Sequence, residues 1–83
     1  MRYEVTTKLS PQEALQRAIQ HFGPGGVGLE IADQNEACLV FQGGGGHVAV
    51  TARAENTSKK NTRLELETRE WDYAVRQFMT QVH

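Results

Sequence analysis

Apolar and polar residues alternate on both sides of a run of four glycines near the middle of the chain. The apolar residues occupy every second position on either side of that run: Ala37, Leu39, Phe41, Val48, Val50, Ala52 and Ala54. A period of two residues is typical of strands with one buried face. The pattern therefore predicts an antiparallel hairpin over residues 36–54, and the glycines would form its turn.

Three other segments show the same alternation and are predicted to be strands. They cover residues 2–9, 27–32 and 63–68, and each would have one half-buried face. Residues 33–35 are polar and suited to a short turn. Residues 55–61 are polar without any periodicity, which predicts an exposed loop.

Two amphipathic helices complete the predicted elements. Ser10, Pro11 and Glu13 indicate a helix start, because Ser10 and Glu13 can form a capping box and Pro11 needs no N–H at the first helical position. The apolar face of this helix contains Leu15, Ala18, Ile19 and Phe22. A second helix is predicted over residues 71–82, with Thr68 as its N-cap. Its apolar residues recur at helical spacing: Trp71, Ala74, Val75, Phe78, Met79 and Val82.

These elements predict an α+β fold with the order β-α-β-β-β-β-α in a single domain, residues 1–83. Short turns join the last four strands, which should therefore form an antiparallel meander. The first strand is predicted to pair with the fifth, giving the strand order 1-5-4-3-2, because residues 2–8 and 63–67 carry charges that could form opposite-charge cross-strand pairs. Both helices are predicted to cover one face of this five-stranded sheet. The largest core side chains should be Trp71, Phe78 and Phe22.

The beginning of the chain resembles the helix-grip proteins of the SRPBCC superfamily. Within residues 3–22, a strand runs into Ser10-Pro11-Gln12-Glu13-Ala14-Leu15, which is similar to the first strand and the SPEEVW-type helix opening of that superfamily. Residues 71–82 are similar in position to its long C-terminal helix, and the element order also resembles the TATA-binding-protein-like arrangement. The resemblance implies this architecture. It also implies a small apolar ligand held between the first helix, residues 23–28 and the concave face of the sheet.

Composition and charge indicate no strong attraction to nucleic acid or to membranes. The chain has 9 Lys and Arg against 10 Asp and Glu, a formal net charge of −1, so neither partner is predicted. The single cysteine, Cys38, excludes an internal disulfide and fits a reducing compartment. Residues 1–5 lack the apolar run of a signal peptide, and no stretch approaches the roughly twenty apolar residues of a membrane span. We therefore expect a cytoplasmic protein.

Two glycine-rich segments offer backbone N–H groups that could bind a ligand. The candidate ligand-binding residues are Gly25, Gly26, Gly43, Gly44, Gly45 and Gly46. Successive glycine N–H groups can hold an anion, but residues 43–46 are more typical of a hairpin turn, because a phosphate loop leads into a helix. Residues 23–28 follow a helix and precede a strand, which is the reverse of the dinucleotide-binding arrangement. A hairpin turn at residues 43–46 and the end of a helix at residues 23–28 are therefore the favoured interpretations.

No residues show the spacing of a metal or catalytic site. His21, His47 and Cys38, together with the final His83, are the soft metal ligands of the chain, and none is spaced like the ligand pairs of a zinc site. Both internal histidines are predicted to lie on the surface, and Cys38 should lie on the outer face of the sheet. We therefore predict no catalytic residue, no metal and no cofactor, and a protein that is not an enzyme.

The face of the sheet away from the helices combines a polar border with an apolar centre. Four small side chains form that centre: Ala32, Cys38, Val40 and Ala49. An apolar patch within a polar rim is typical of an interface, and the second strand, as an edge, could pair with another chain. The leading hypothesis is a non-catalytic binding or assembly module that forms a two-fold homodimer. The alternative is a minimal helix-grip binder of a small apolar ligand.

Overall fold

The computed structural model describes residues 2–54 and 61–83, which form five strands and two helices. In chain order the elements are β1 (Arg2–Thr7), α1 (Pro11–Phe22), β2 (Glu30–Gln34), β3 (Cys38–Gly43), β4 (Gly46–Ala54), β5 (Thr62–Thr68) and α2 (Asp72–Val82). All neighbouring strands are antiparallel, in the order β1-β5-β4-β3-β2. The predicted α+β fold, element order and strand order are confirmed. Of the predicted loop over residues 55–61, all but Asn61 lies outside the described residues.

The start of α1 follows the predicted capping pattern. The backbone N–H of Glu13 donates to Ser10 Oγ at 3.2 Å, and the Ser10 hydroxyl donates to a Glu13 carboxylate oxygen at 3.1 Å. Pro11 is the first helical residue, where its missing N–H costs nothing. Local sequence alone therefore determines where this helix begins.

The start of α2 differs from the prediction. Its N-cap is Trp71 and makes no side-chain capping bond, so the assignment of Thr68 as N-cap is wrong. The Thr68 hydroxyl instead accepts the backbone N–H of Trp71 at 3.0 Å and donates to the carbonyl of His47 at 2.8 Å. Thr68 is the last residue of β5. Its two hydrogen bonds connect the bend between β5 and α2 to β4.

The core lies between one face of the sheet and both helices. Phe22 of α1, Phe41 of β3 and Phe78 of α2 are fully buried, and the Phe22 ring centroid lies 5.5 Å from that of Phe41 and 5.3 Å from that of Phe78. The prediction of Phe22 and Phe78 as large core residues is confirmed. Trp71 is only partly buried and packs at the border of the core. The third large core side chain is therefore Phe41 rather than Trp71.

Strand β2 begins and ends later than the alternation predicted. The N–H of Val27 donates to the carbonyl of His21, and that of Leu29 to the carbonyl of Phe22, so these residues end α1 rather than extend a strand. The pairing of β2 with β3 shifts between Ile31 and Asp33, which is a bulge. All five residues of β2 are exposed. The half-buried face predicted for residues 27–32 is wrong at Ile31, because α1 packs over β3, β4 and β5 and leaves Ile31 39% exposed.

Candidate functional site

The glycine turn between β3 and β4 is explained by the local fold. Gly43 pairs with Gly46, and the two residues between them, Gly44 and Gly45, have φ of +59° and +80°. Positive φ at both central positions is the geometry of a type I′ turn, which matches the twist of the two strands. A Cβ on Gly44 would also lie 3.0 Å from the indole ring of Trp71. The geometry of the turn therefore accounts for the glycines, and no ligand is needed to explain them.

Trp71 packs against this turn rather than in the core. Its indole N–H donates to the carbonyl of Gly43 at 3.3 Å. A buried indole N–H needs an acceptor, and the end of β3 offers one where the apolar core does not. The helical spacing therefore predicted correctly on which side of α2 Trp71 lies. It did not predict the hydrogen bond to Gly43.

A polar cleft of about 890 Å³ borders the glycine turn. Its lining residues are Gly28, Glu30, Gln42, Gly43, Gly45, Gly46, His47, Glu67, Arg69 and Glu70. The three glutamates outnumber the single arginine, and the resulting negative charge disfavours the binding of an anion. The carboxylate of Glu67 lies 3.8 Å from Nε2 of His47, and both side chains are about half exposed. An anion site at the four turn glycines stays a prediction that the surrounding charge does not favour.

The second glycine-rich segment turns its N–H groups toward the end of α1. The N–H of Gly26 and that of Gly28 both donate to the carbonyl of Gly23, at 3.0 and 2.9 Å. A Cβ on Gly26 would clash with the carbonyl oxygen of His21. These contacts close the end of the helix, and only glycine leaves room at position 26 for the carbonyl of His21. Ligand binding at Gly25 and Gly26 stays a prediction, with the N–H of Gly26 already engaged.

His21 connects the two helices and is partly buried, where the sequence predicts a surface position. Its Nε2–H donates to the carbonyl of Ala74 in α2 at 2.9 Å. The imidazole ring is partly buried, 4.8 Å from the ring of Phe22 and 5.6 Å from that of Phe78. A signal was present in the sequence, because His21 follows the buried Ala18 by three residues and so shares its side of the helix.

The outer face of the sheet has no helix packed on it within the described residues. Val40 lies opposite Ala49, and Cys38 lies opposite Thr51, whose hydroxyl donates to the Cys38 sulfur at 3.7 Å. All four side chains are half-buried. Three of the four predicted interface residues therefore lie together at the centre of this face.

Ala32, the fourth predicted interface residue, is displaced by the bulge in β2. It has no partner on β3, and Asp33 lies opposite Val40 instead. The carboxylate of Asp33 therefore replaces a methyl group at this border of the patch. A bulge shifts the alternation of a strand by one residue, and the sequence alternation over residues 27–32 did not contain that shift.

The charged residues of β1 and β5 on this face follow the predicted opposite-charge pairing in part. Arg2 lies opposite Glu67, and their charged atoms are 3.6 Å apart. The two side chains are 70% and 52% exposed, so the pair contributes little to stability. Glu4 lies opposite Glu65, which makes a like-charge pair where an opposite-charge pair was expected. These carboxylates form the polar border beyond Ala49 and Thr51.

The position that the helix-grip resemblance assigns to an apolar ligand is occupied by side chains. Phe22, Phe41 and Phe78 fill the space between α1, α2 and the concave face of the sheet. A ligand there would have to displace three rings that are fully buried. The apolar-ligand hypothesis stays a prediction that no contact in the described residues favours.

A second groove, of about 690 Å³, runs between β1 and α2. Its lining residues are Glu4, Val5, Thr6, Arg63, Arg76, Met79, Thr80 and His83. At one end, the Tyr3 hydroxyl donates to the carboxylate of Asp72 at 2.5 Å, which ties the first turn of α2 to β1. This hydrogen bond raises the pKa of Tyr3 above its ordinary value, because the acceptor is a carboxylate. No pattern in the sequence indicates this groove, because it depends on how α2 lies beside the sheet edge.

Among residues 2–54 and 61–83, no three His, Cys, Asp or Glu side chains are grouped in a way that could hold a metal ion. In the same part of the chain, neither helix combines the length and apolar character needed to cross a membrane. Comparison of the sequence and structure with known protein families, curated proteins and solved structures gives no match. The helix-grip and TATA-binding-protein-like resemblance therefore stays a prediction.

Proposed function

We propose that this chain is a non-catalytic assembly module that forms a two-fold homodimer through the outer face of its sheet. The observation that supports this most directly is the half-buried centre of that face, where Val40, Ala49 and Cys38 lie side by side and no helix of the described part of the chain covers them. An apolar centre within a border of charged residues is the arrangement of an interface rather than of a solvated sheet face.

The size of the face indicates a weak dimer. Five strands spaced about 4.8 Å apart, with about six residues each, give a surface of roughly 24 by 20 Å. This corresponds to about 500 Å² in projection, whereas a stable interface buries about 800 Å² on each partner. We therefore expect dissociation in the micromolar range or weaker, and an oligomeric state that depends on concentration.

The free edge of β2 supports self-association less than the outer face does. In an antiparallel pair of β2 strands, Glu30 and Asp33 of one copy would meet those of the other, and like charges across a strand pair are destabilising. The bulge between Ile31 and Asp33 also interrupts the regular ladder that a new strand would need. For these reasons we expect the dimer contact on the outer face of the sheet rather than at its edge.

The separation of Cys38 and His47 supports a role without thiol chemistry. Both face outward, but Cys38 lies opposite Thr51 and His47 lies opposite Gln42, so the two side chains are separated along the strands. A thiol nucleophile needs a base within hydrogen-bond distance. This pair does not provide one.

Sedimentation velocity over a tenfold range of protein concentration tests the proposal. We expect the wild-type chain to shift from monomer toward dimer, and Val40→Glu to stay monomeric, because the new carboxylate would be buried against its own symmetry mate. Gln16→Glu on the exposed side of α1 introduces the same charge elsewhere and should leave the dimer intact. Labelling of Cys38 by a thiol reagent should slow as the wild-type concentration rises. A monomer at every concentration, or a dimer that Val40→Glu leaves unchanged, would refute the proposal.

A further inference from the structure

We propose that protonation of His47 strengthens the homodimer, so that the outer face of the sheet associates more tightly at mildly acidic pH than at alkaline pH. This inference rests on the proposed function, because it concerns the regulation of the same face. Histidine is the side chain that ordinarily changes its charge between about pH 5 and 8. The carboxylate that His47 contacts, that of Glu67, lies directly beside the apolar centre of the face.

Glu67 lies at the border between the apolar centre and the charged residues of the outer face. It is opposite Ala49 of β4 on one side and opposite Arg2 of β1 on the other. Residues directly opposite each other in antiparallel strands project from the same face, with their Cβ atoms about 4.5–5.5 Å apart. A second copy that covers Ala49 therefore also approaches the Glu67 carboxylate and removes part of its water.

The limited size of the outer face brings this carboxylate into the dimer contact. The whole face offers about 500 Å², whereas a stable interface buries about 800 Å² on each partner. A second copy therefore has to cover β5, the neighbour of β4, as well as the apolar centre on β3 and β4. Removing water from a carboxylate costs free energy unless a nearby cation compensates its charge. The strength of the dimer therefore depends on the cations around Glu67.

The charged side chains around His47 and Glu67 leave one negative charge in excess when the imidazole is neutral. Gln42, opposite His47 on β3, is uncharged. The other charged residues around this pair come from β1, from β2 and from the bend after β5: Arg2, Glu30, Arg69 and Glu70. Together with Glu67 they make three carboxylates against two guanidinium groups. Protonation of His47 adds the cation that balances this charge.

The geometry of the pair explains why the dimer gains more from this charge than the monomer does. Nε2 of His47 lies 3.8 Å from Oε1 of Glu67, and Arg2 lies 3.6 Å from the other carboxylate oxygen. The three side chains are 43% to 70% exposed, so water and salt screen these contacts in the monomer. A second copy on the face excludes part of that water, and the attraction between imidazolium and carboxylate becomes stronger. Association is therefore linked to the uptake of a proton.

Sedimentation velocity at about pH 5.5 and about pH 8, at equal ionic strength, measures the dimer Kd in both charge states of histidine. Exposed carboxyl groups of ordinary pKa stay ionised at both values. One ion pair of this kind changes an equilibrium constant by up to about fivefold, and a two-fold dimer contains two of them. We therefore expect a Kd that is about five- to twentyfold lower at the acidic pH. High salt should reduce this difference, because it screens the pairs.

Variants of the protein assign the pH dependence to this pair. His47→Gln should lose most of the difference between the two pH values, whereas His83→Gln, which removes an exposed imidazole after α2, should keep it. Glu67→Gln should lower the Kd at alkaline pH toward the value that the wild type reaches at acidic pH, because no carboxylate then loses its water.

The outcomes separate this regulation from the dimer itself. Dimers with equal Kd at the two pH values, dimers that are tighter at alkaline pH, or an undiminished difference in His47→Gln would overturn the role of His47 and leave the outer-face dimer in place. A monomer at both pH values and at every concentration would refute the dimer and its regulation together.

Discussion

Replacing Phe78 with alanine tests whether α2 anchors the core as described. The ring is 0% exposed, and its centroid lies 5.3 Å from that of Phe22 and 5.6 Å from that of His21. Truncation of a buried phenylalanine costs about 3–5 kcal/mol, and lost aromatic contacts place this site toward the upper end. For a domain of this size, ~4 kcal/mol corresponds to a fall in Tm of about 16–32 °C. That loss is a large share of the total stability of a typical domain, about 5–15 kcal/mol.

Urea unfolding followed by circular dichroism, with linear extrapolation to water, measures the loss. Gln77→Ala is the matched control, because Gln77 is the preceding residue of α2 and is exposed. Its effect should stay within about 0.5 kcal/mol. If Phe78→Ala leaves too little folded protein to measure, Phe78→Leu should show a smaller loss in the same direction. A loss below about 1 kcal/mol for Phe78→Ala would mean that α2 does not pack through this ring, and the described core would then be incorrect.

Two further outcomes are expected. Gly44→Ala should destabilise the fold by about 1–2 kcal/mol, because φ is +59° and the new Cβ would press on Trp71. Gly25→Ala, which has open space around the new Cβ, should be neutral or slightly stabilising in the same urea assay; equal losses would contradict the turn geometry. The hydrogen bond to Asp72 raises the pKa of Tyr3 above its ordinary 10.0. The contribution of this bond to the free energy of unfolding is therefore complete below about pH 10 and is lost as the pH rises through the folded-state pKa. The free energy of unfolding should therefore fall less steeply with rising pH in Tyr3→Phe than in the wild type, and an unchanged pH dependence would contradict this contact.

The parts of the fold that sequence predicted well are those decided by local periodicity. The alternation around the glycine run decides which residues of β3 and β4 face the core, and the type I′ turn decides their register, so Gln42 and His47 lie opposite each other. The capping box at Ser10 likewise decides the start of α1. In each case the determinants lie within a few residues of the element they determine.

The parts that sequence missed depend on contacts between distant elements. The bulge in β2 arises where the chain must both close α1 and pair with β3, and nothing in the alternation of residues 27–32 signals it. The positions of Thr68 and Trp71 follow from hydrogen bonds to β4 and β3. The contact of His21 with Ala74 requires the packing of two helices. Such contacts override local preference because buried polar groups must find partners wherever the fold supplies them.

The position of β1 in the sheet has a consequence for folding. β2 to β5 are neighbours along the chain and can pair as each segment arrives, whereas β1 pairs Arg2 with Glu67 and Thr7 with Thr62, which are far apart in sequence. Contacts of high sequence separation slow folding, because a long loop must close first. Until β1 reaches β5, the meander exposes an open strand edge, which the first strand of another chain can fill instead. Refolding at high protein concentration should therefore yield dimers that exchange β1.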